Sequence, residues 1–335
     1  MIRALPSHRT PVRLAVVLAI AALAVAVAAP VLAGEAPETP LSLGSLLTSW
    51  SADPITWLGI AFGTAIYLLG AGFVNRRHPR SRVPRWRVIA WLAGMASLAL
   101  ALVSVVDVYA TSLLTVHMVQ HLLLAMVVPP LLAFGAPVTL ALRVASPSVR
   151  RSLLLPILHS RIARLLAAPM IGWVVYVVVL SGSHFSPLFS AALDDPLVHI
   201  GEHLLYLGAG LLFWWPVVGA DPSPRRMGYP GRIVYLGAQM PVHAATGLAI
   251  YFAPRVLYPH YLEVARSWGP APLVDQQLAG ALMWGGGDVV LVVAIVLCFA
   301  AMLGADERRA RRRERRFRAA PLAVTASTDT DSMHG

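Results

Sequence analysis

Two histidine pairs with the same spacing are the most chemically suggestive feature of this sequence. The segments HMVQH at 117–121 and HIGEH at 199–203 each carry histidines four residues apart. On an α-helix such residues share one face and lie about 6 Å apart along the axis. Each pair can therefore ligate a metal ion or form one wall of a shared site. Glu202, inside the second pair, is either a partner that orients an imidazole or an interface charge.

His243 and Asp288 are further candidate ligands, because the helices predicted below place them at a depth comparable to that of the two pairs. The chain has one cysteine, Cys298, which excludes an intramolecular disulfide and a cysteine-based zinc site. Imidazole suits copper, zinc and iron, and a thioether from Met240 or Met283 would shift the preference towards cuprous copper. Spacing alone does not choose the metal, and two histidines from different helices could instead bind a haem iron.

The elements that must position these residues are membrane-spanning helices. Hydrophobic residues make up 57% of the 335-residue chain and charged residues 13%, too little polar surface for a soluble protein. Seven apolar stretches each approach the ~20 residues that about 30 Å of hydrocarbon requires. We therefore predict an all-α integral membrane protein, a bundle of seven transmembrane helices. The stretches are 54–74, 86–106, 113–132, 166–182, 197–218, 233–252 and 277–303.

A further apolar segment precedes this bundle and predicts either a signal peptide or an eighth, N-terminal span. The predicted organisation is 1–33 as signal peptide or first transmembrane span, 34–53 as outer-face segment, 54–303 as seven-span membrane domain and 304–335 as a basic, disordered cytoplasmic tail. Pro129 and Pro130 remove backbone donors late in the third span. We expect a bend there that neighbouring helices cover.

The arginines predict the orientation of the bundle. The net charge is +11 and every one of the 27 basic residues is arginine, but they cluster in alternate loops. That pattern is typical of cytoplasmic loops rather than of a nucleic-acid surface. The predicted location is the cell (plasma or inner) membrane, with a cytoplasmic C-terminus and most histidines towards the outer face. The histidines on that face are His117, His121, His184, His199, His203, His243 and His260.

Several motifs, one of which contains the first histidine pair, make the sequence familiar. They are DVYA at 107–110, HMVQHLLL at 117–124, PPLL at 129–132, GAP at 135–137, FWWP at 213–216, YPHY at 258–261 and DQQLAG at 275–280. Together with the second histidine pair, and in this order, they resemble the CtaG family of multi-span bacterial cytochrome c oxidase assembly factors, of the caa3 type. The resemblance covers approximately residues 50–303. It implies a role in producing active haem-copper oxidase, at the stage of copper delivery or insertion.

The expected function is therefore a non-enzymatic assembly factor or metal chaperone that binds copper and delivers it to haem-copper oxidase subunits. Membrane lipids are expected partners, nucleic acid is not, and the oligomeric state stays open. A haem-binding membrane cytochrome and a histidine-box di-iron membrane oxidase remain alternatives; a permease would need more polar residues in the inner half. The expected metal ligands are His117, His121, His199 and His203, which match family motifs, with His243 and Asp288 added from their depth.

Overall fold

The computed structural model describes residues 39–319, and every regular element in that range is a helix. We number the seven main helical segments α1 (Pro54–Arg77), α2 (Arg85–Ala110), α3 (Leu114–Val144), α4 (Pro169–His184), α5 (Pro196–Val218), α6 (Tyr229–Tyr251) and α7 (Pro272–Ala319). Their component and connecting helices are Leu43–Thr48, Arg85–Leu102, Val105–Ala110, Leu114–Leu122, Val128–Phe134, Pro137–Val144, Pro147–Val149, Leu155–Leu158, Arg161–Leu166, Pro187–Asp194, Tyr229–Gly237, Met240–Tyr251 and His260–Glu263, with π-helical turns at Leu123–Val127 and Arg150–Leu154.

Six of these segments are long and apolar enough to cross a membrane, which confirms the prediction of an all-helical protein with several spans. The fourth predicted span, 166–182, corresponds to α4, whose 16 residues extend only about 24 Å. It passes as a span only together with Pro187–Asp194, from which it is bent by 68°. The chain turns at this point because Ser186 caps the second helix. Within the described residues the number of candidate membrane spans is six, or seven when the bent pair is counted as one span. The predicted segment 1–33 lies outside the described residues.

The basic segment after the last span is helical where the structure describes it. The predicted tail begins at residue 304, whereas α7 continues without a break to Ala319. The expectation of disorder is therefore wrong for 304–319. Alanine, arginine and glutamate dominate this stretch and are strong helix formers, and Asp306 lies 3.4 Å from Arg309 one turn later.

The two prolines of α3 produce the expected bend, and α5 covers it. Because Pro129 has no N–H, the carbonyl of Ala125 loses its helical donor. The indole Nε1 of Trp214 on α5 donates to that carbonyl instead, at 3.1 Å. The preceding turn, Leu123–Val127, widens to a π-helix, a common response to a disturbed hydrogen-bond ladder. The first histidine pair thus belongs to a helix whose direction is fixed against α5.

Two buried aspartates cap α3 from other parts of the chain. Asp275 of α7 accepts hydrogen bonds from Leu114 N at 2.7 Å and Thr115 N at 3.2 Å, at the start of α3. Asp221, after α5, accepts from Val138 N at 3.2 Å and Thr139 N at 2.6 Å, where α3 restarts after its break. A carboxylate satisfies the free N–H groups of a helix start and complements its dipole. These caps fix the level of α3 relative to its neighbours.

The helix ends that carry the histidines gather at one end of the bundle. Tyr258, in the connection between α6 and α7, donates to the His184 carbonyl at the end of α4, at 3.3 Å. Tyr261 donates to the Ala110 carbonyl at the end of α2, at 2.9 Å. Burial raises the pKa of the Tyr258 phenol above its ordinary value, so it stays protonated as a donor. At the opposite end, the Arg143 guanidinium donates to the Ser81 carbonyl.

The core lies among α2–α7, and the outer surface of the bundle is apolar. Large buried side chains from these segments include Tyr109, Tyr176, Tyr206 and Phe213. Aliphatic side chains such as Leu69 (72% exposed) and Val178 (62% exposed) cover the outside. An apolar exterior around a core that contains polar groups is the arrangement expected in lipid.

Gly210 allows α3 and α5 to approach closely beside the proline bend. A Cβ at this position would lie 2.6 Å from Pro129 Cγ and 2.7 Å from the Ala125 carbonyl oxygen. At Gly208 of the same helix, a Cβ would meet no atom within 4 Å. The two glycines therefore provide a matched test of helix contact.

We expect Gly210→Ala to lower the stability of the detergent-purified protein by about 1–3 kcal/mol, because the backbones must separate. Gly208→Ala should leave stability unchanged or raise it by up to about 1 kcal/mol, because alanine favours helix. Thermal unfolding of the two variants measures the difference. Equal melting temperatures would contradict the packing described.

Candidate metal centre

The first histidine pair points two imidazoles at each other inside the bundle. His117 and His121 lie on one face of α3, and their Nε2 atoms are 3.0 Å apart. Both side chains are buried, with 0% and 3% of their surface exposed. Two nitrogen ligands at about 2.0–2.1 Å from one tetrahedral ion would lie about 3.3 Å apart. The separation is thus close to that of two ligands on a single ion.

The second pair brings a carboxylate to the same place. Glu202 of α5 is 1% exposed, and its Oε2 lies 3.8 Å from His117 Nε2 and 3.6 Å from His121 Nε2. One donor atom from each of these three residues falls within 4.8 Å of the others. We call His117, His121 and Glu202 the central triad. It joins two helices that are distant in sequence, since His121 and Glu202 differ by 81 positions.

The other two predicted histidines of α5 flank the triad. The ring of His199 stacks almost parallel to that of His117, with 5.6 Å between centroids, and lies 4.2 Å from that of His203. The Asp195 side chain caps the start of α5 by accepting from Leu197 N and Val198 N. Because His199 and His203 follow in the first two turns, the cap fixes their height beside the triad.

Several polar atoms of this cluster are buried without a hydrogen-bond partner among the described residues. They include both carboxylate oxygens of Glu202 and the Nε2 atoms of His199 and His203. An unsatisfied buried polar group costs about 1–3 kcal/mol, and more when it is charged. A cation bound at the central triad would satisfy the lone pairs of the Glu202 carboxylate. The donor set and the unsatisfied atoms therefore fit a metal ion.

His184, at the end of α4, supplies the fifth imidazole of the cluster. Its ring lies 5.7 Å from that of His121. Its Nδ1 lies 2.7 Å from the Leu180 carbonyl oxygen and 3.0 Å from the Tyr206 hydroxyl. Tyr206 also stacks on His121 at 3.9 Å, and Phe189 packs against His117 at 4.9 Å. These contacts hold the imidazoles in fixed orientations.

The structure separates two of the six predicted ligands from the rest. His243 Nδ1 lies 3.9 Å from Asp288 Oδ1, and His243 Nε2 lies 3.4 Å from the Tyr176 hydroxyl. Among the described residues, no hydrogen bond, ion pair or ring contact joins this pair to the central triad. The structure therefore does not bring all six predicted ligands to one place, and His243 and Asp288 stay predicted ligands outside the central triad. Similar depth does not fix the direction in which a helix presents a side chain, and His243 faces α4 and Gly287 of α7.

Sequence reasoning missed several residues that form the centre. His184 has no histidine four residues away, so only the bend between α4 and Pro187–Asp194 reveals its role. Tyr206 did carry a signal, because it continues the face of His199 and His203 by one further turn. His260 lies at the edge, where its Nε2 donates to the Thr111 carbonyl at 3.0 Å and its Nδ1 is 3.5 Å from Asp194.

The chain is similar in sequence to a known protein family and to several curated proteins. The model of the family described as cytochrome c oxidase caa3 assembly factor (Caa3_CtaG) matches residues 65–305. Uncharacterized proteins of Mycobacterium bovis and Mycobacterium tuberculosis are each 34% identical to the chain over 288 residues, covering 84% of this chain and 43% of the relative. An uncharacterized protein of Mycobacterium leprae is 31% identical over 292 residues, with the same coverage.

The chain thus spans less than half the length of these relatives. No solved structure matches it significantly. The family match contains all of the histidines that form the cluster, from His117 to His203. The chain therefore belongs to the family of cytochrome c oxidase caa3 assembly factors.

Proposed function

We propose that this protein binds copper at the central triad and supplies it to a haem-copper oxidase during assembly. The family match supports an assembly role in general terms, and the copper step goes beyond that match. One observation carries it: three donor groups lie within 4.8 Å of one another, and the buried Glu202 carboxylate has no hydrogen-bond partner within residues 39–319. Copper is the cargo in this account and is not retained for catalysis.

The donor set suits an ion that must be passed on. Three neighbouring groups supply two imidazoles and a carboxylate, and His199, His203 and His184 offer further nitrogens around them. Such ligands exchange more readily than a closed cage of thiolates. An ion can therefore move stepwise among neighbouring imidazoles without ever being fully released into the bundle.

The geometry favours an ion over a haem. Axial haem ligands occupy opposite faces of the iron, whereas His117 and His121 lie side by side on one helix with their Nε2 atoms 3.0 Å apart. Tyr206 and Phe189 pack directly on these rings, where a porphyrin would have to lie. The histidine-box di-iron alternative places its histidine pairs at the cytosolic face, whereas the arginine-rich loops predict that these pairs lie at the outer face.

The proposal includes an orientation. The histidine cluster lies at the end of the bundle opposite the arginine-rich loops. By the positive-inside rule those loops face the cytoplasm, so the cluster would receive copper from the outer side of the cell membrane. This placement also sets the cluster apart from cytoplasmic thiols, which compete strongly for copper.

A direct test is copper binding by the full-length protein purified in detergent. We expect His121→Gln or Glu202→Gln to weaken copper binding by about 10- to 100-fold or more, because each removes a donor of the triad. Competition with a chromogenic copper chelator measures the change. His78→Gln and Glu263→Gln, which alter exposed residues of the same types away from the triad, serve as controls and should bind like the wild type.

Equal affinity of the triad variants and the controls would overturn the proposed site. Protein purified with a Soret band in place of copper would favour the haem alternative.

The orientation is testable by labelling single cysteines in a Cys298→Ser background. Ser267→Cys, at the histidine end, should react with a membrane-impermeant maleimide in right-side-out spheroplasts. Ser148→Cys, at the arginine end, should react only after lysis. Both serines are exposed. The reverse pattern of labelling would place the cluster towards the cytoplasm and contradict copper uptake from outside.

A further inference from the structure

A thioether lies beside the histidine cluster, on the side away from Glu202. We propose that Met118 and His184 are soft ligands of the centre and make it a site for the cuprous ion. The inference rests on the proposed function, which it deepens by naming the oxidation state of the cargo. It is carried by one contact, the 3.3 Å distance between His184 Nε2 and Met118 Sδ.

The hydrogen bond on the other ring nitrogen defines the chemistry of this contact. His184 Nδ1 lies 2.7 Å from the Leu180 carbonyl oxygen. A carbonyl oxygen only accepts, so Nδ1 carries the proton. In the neutral imidazole, Nε2 then has a lone pair and no hydrogen. The side chain is 3% exposed, and burial disfavours the doubly protonated ring.

The contact therefore brings together two atoms with lone pairs. A thioether sulfur has no hydrogen to donate, and the neutral Nε2 has none either. Neither atom gains a hydrogen bond from the other at 3.3 Å. Two ligands on one ion, at about 2.0–2.3 Å from it, lie at about this separation. A cation between them would turn an unfavourable contact into two coordinate bonds.

Met118 shares a helix face with the histidine pair. At 100° per residue, His121 projects between His117 and Met118, so the three side chains form a continuous strip on α3. Met118 is 1% exposed and belongs to the core around His121 and His184. The carboxylate of Glu202 approaches the strip near His117 and His121. The cluster thus has an oxygen donor on one side and a sulfur donor on the other.

The donor types select the oxidation state. Thioether and imidazole ligands favour cuprous copper, whereas zinc and cupric copper bind well to imidazole and carboxylate without sulfur. No thiol contributes, because the single cysteine, Cys298, lies on α7 far along the helix from the cluster. Met118 is therefore the residue on which selectivity for the cuprous ion depends.

The experiment compares Met118→Leu with Met95→Leu in the full-length protein. Both methionines are buried, Met95 packs against Gly63 of α1, and leucine has a similar volume. X-ray absorption of protein loaded with cuprous ion under reducing conditions should show a sulfur scatterer in the wild type and in Met95→Leu. Met118→Leu should lose that scatterer and bind the cuprous ion at least about tenfold more weakly, with zinc affinity unchanged.

Each other outcome contradicts the inference in a distinguishable way. A copper shell without sulfur in the wild type, or a sulfur scatterer that persists in Met118→Leu, shows that Met118 only packs, and leaves the proposed function standing. Equal loss of zinc and copper binding in Met118→Leu points to a folding defect of the cluster and likewise removes the claim of selectivity. A wild-type protein that binds no copper in either oxidation state overturns both proposals.

Discussion

The buried Glu202 carboxylate is the physical constraint on which the proposed centre depends. It lies inside a helical bundle, 1% exposed, between imidazoles, and neither oxygen has a hydrogen-bond donor among the described residues. Desolvating a carboxylate without a partner is among the most unfavourable arrangements that a protein interior contains. The Nε2 atoms of His117 and His121 lie 3.8 and 3.6 Å from one of these oxygens and offer nitrogen donors to the same ion. The proposed centre rests on this arrangement.

The surrounding helices hold the cluster by capping and by close packing. Asp275 caps the start of α3 in trans, and Asp195 caps the start of α5 locally, so both histidine pairs begin at defined heights. Trp214 replaces the donor that Pro129 lacks and ties α3 to α5 just below the pairs. Since interiors of this kind are closely packed, small errors in height would separate the donors. The caps and the Trp214 hydrogen bond therefore fix the heights of the helix ends more closely than packing between the apolar middle parts would do alone.

Much of this arrangement follows from the sequence because helical spacing is regular. The period of 3.6 residues predicts that each histidine pair shares a face, and apolar length predicts all seven main segments, six of which are long enough to cross a membrane alone. The contact of His184 with the cluster could not be predicted, because the position of this residue depends on a bend after α4. His243 and Asp288 were assigned by depth alone, which leaves the rotation of a helix undefined. The contact of Met118 with His184 was likewise not predicted, because it depends on which side of α3 meets α4.

The most direct measurement of the central claim is the copper content of the terminal oxidase in cells whose only copy of this protein carries Glu202→Gln. The substitution keeps the size of the side chain and removes the charge on which the centre depends. The account predicts that oxidase is made but contains little copper and has little activity, and that added copper restores both in part. Oxidase with its full copper content and activity in those cells would contradict it.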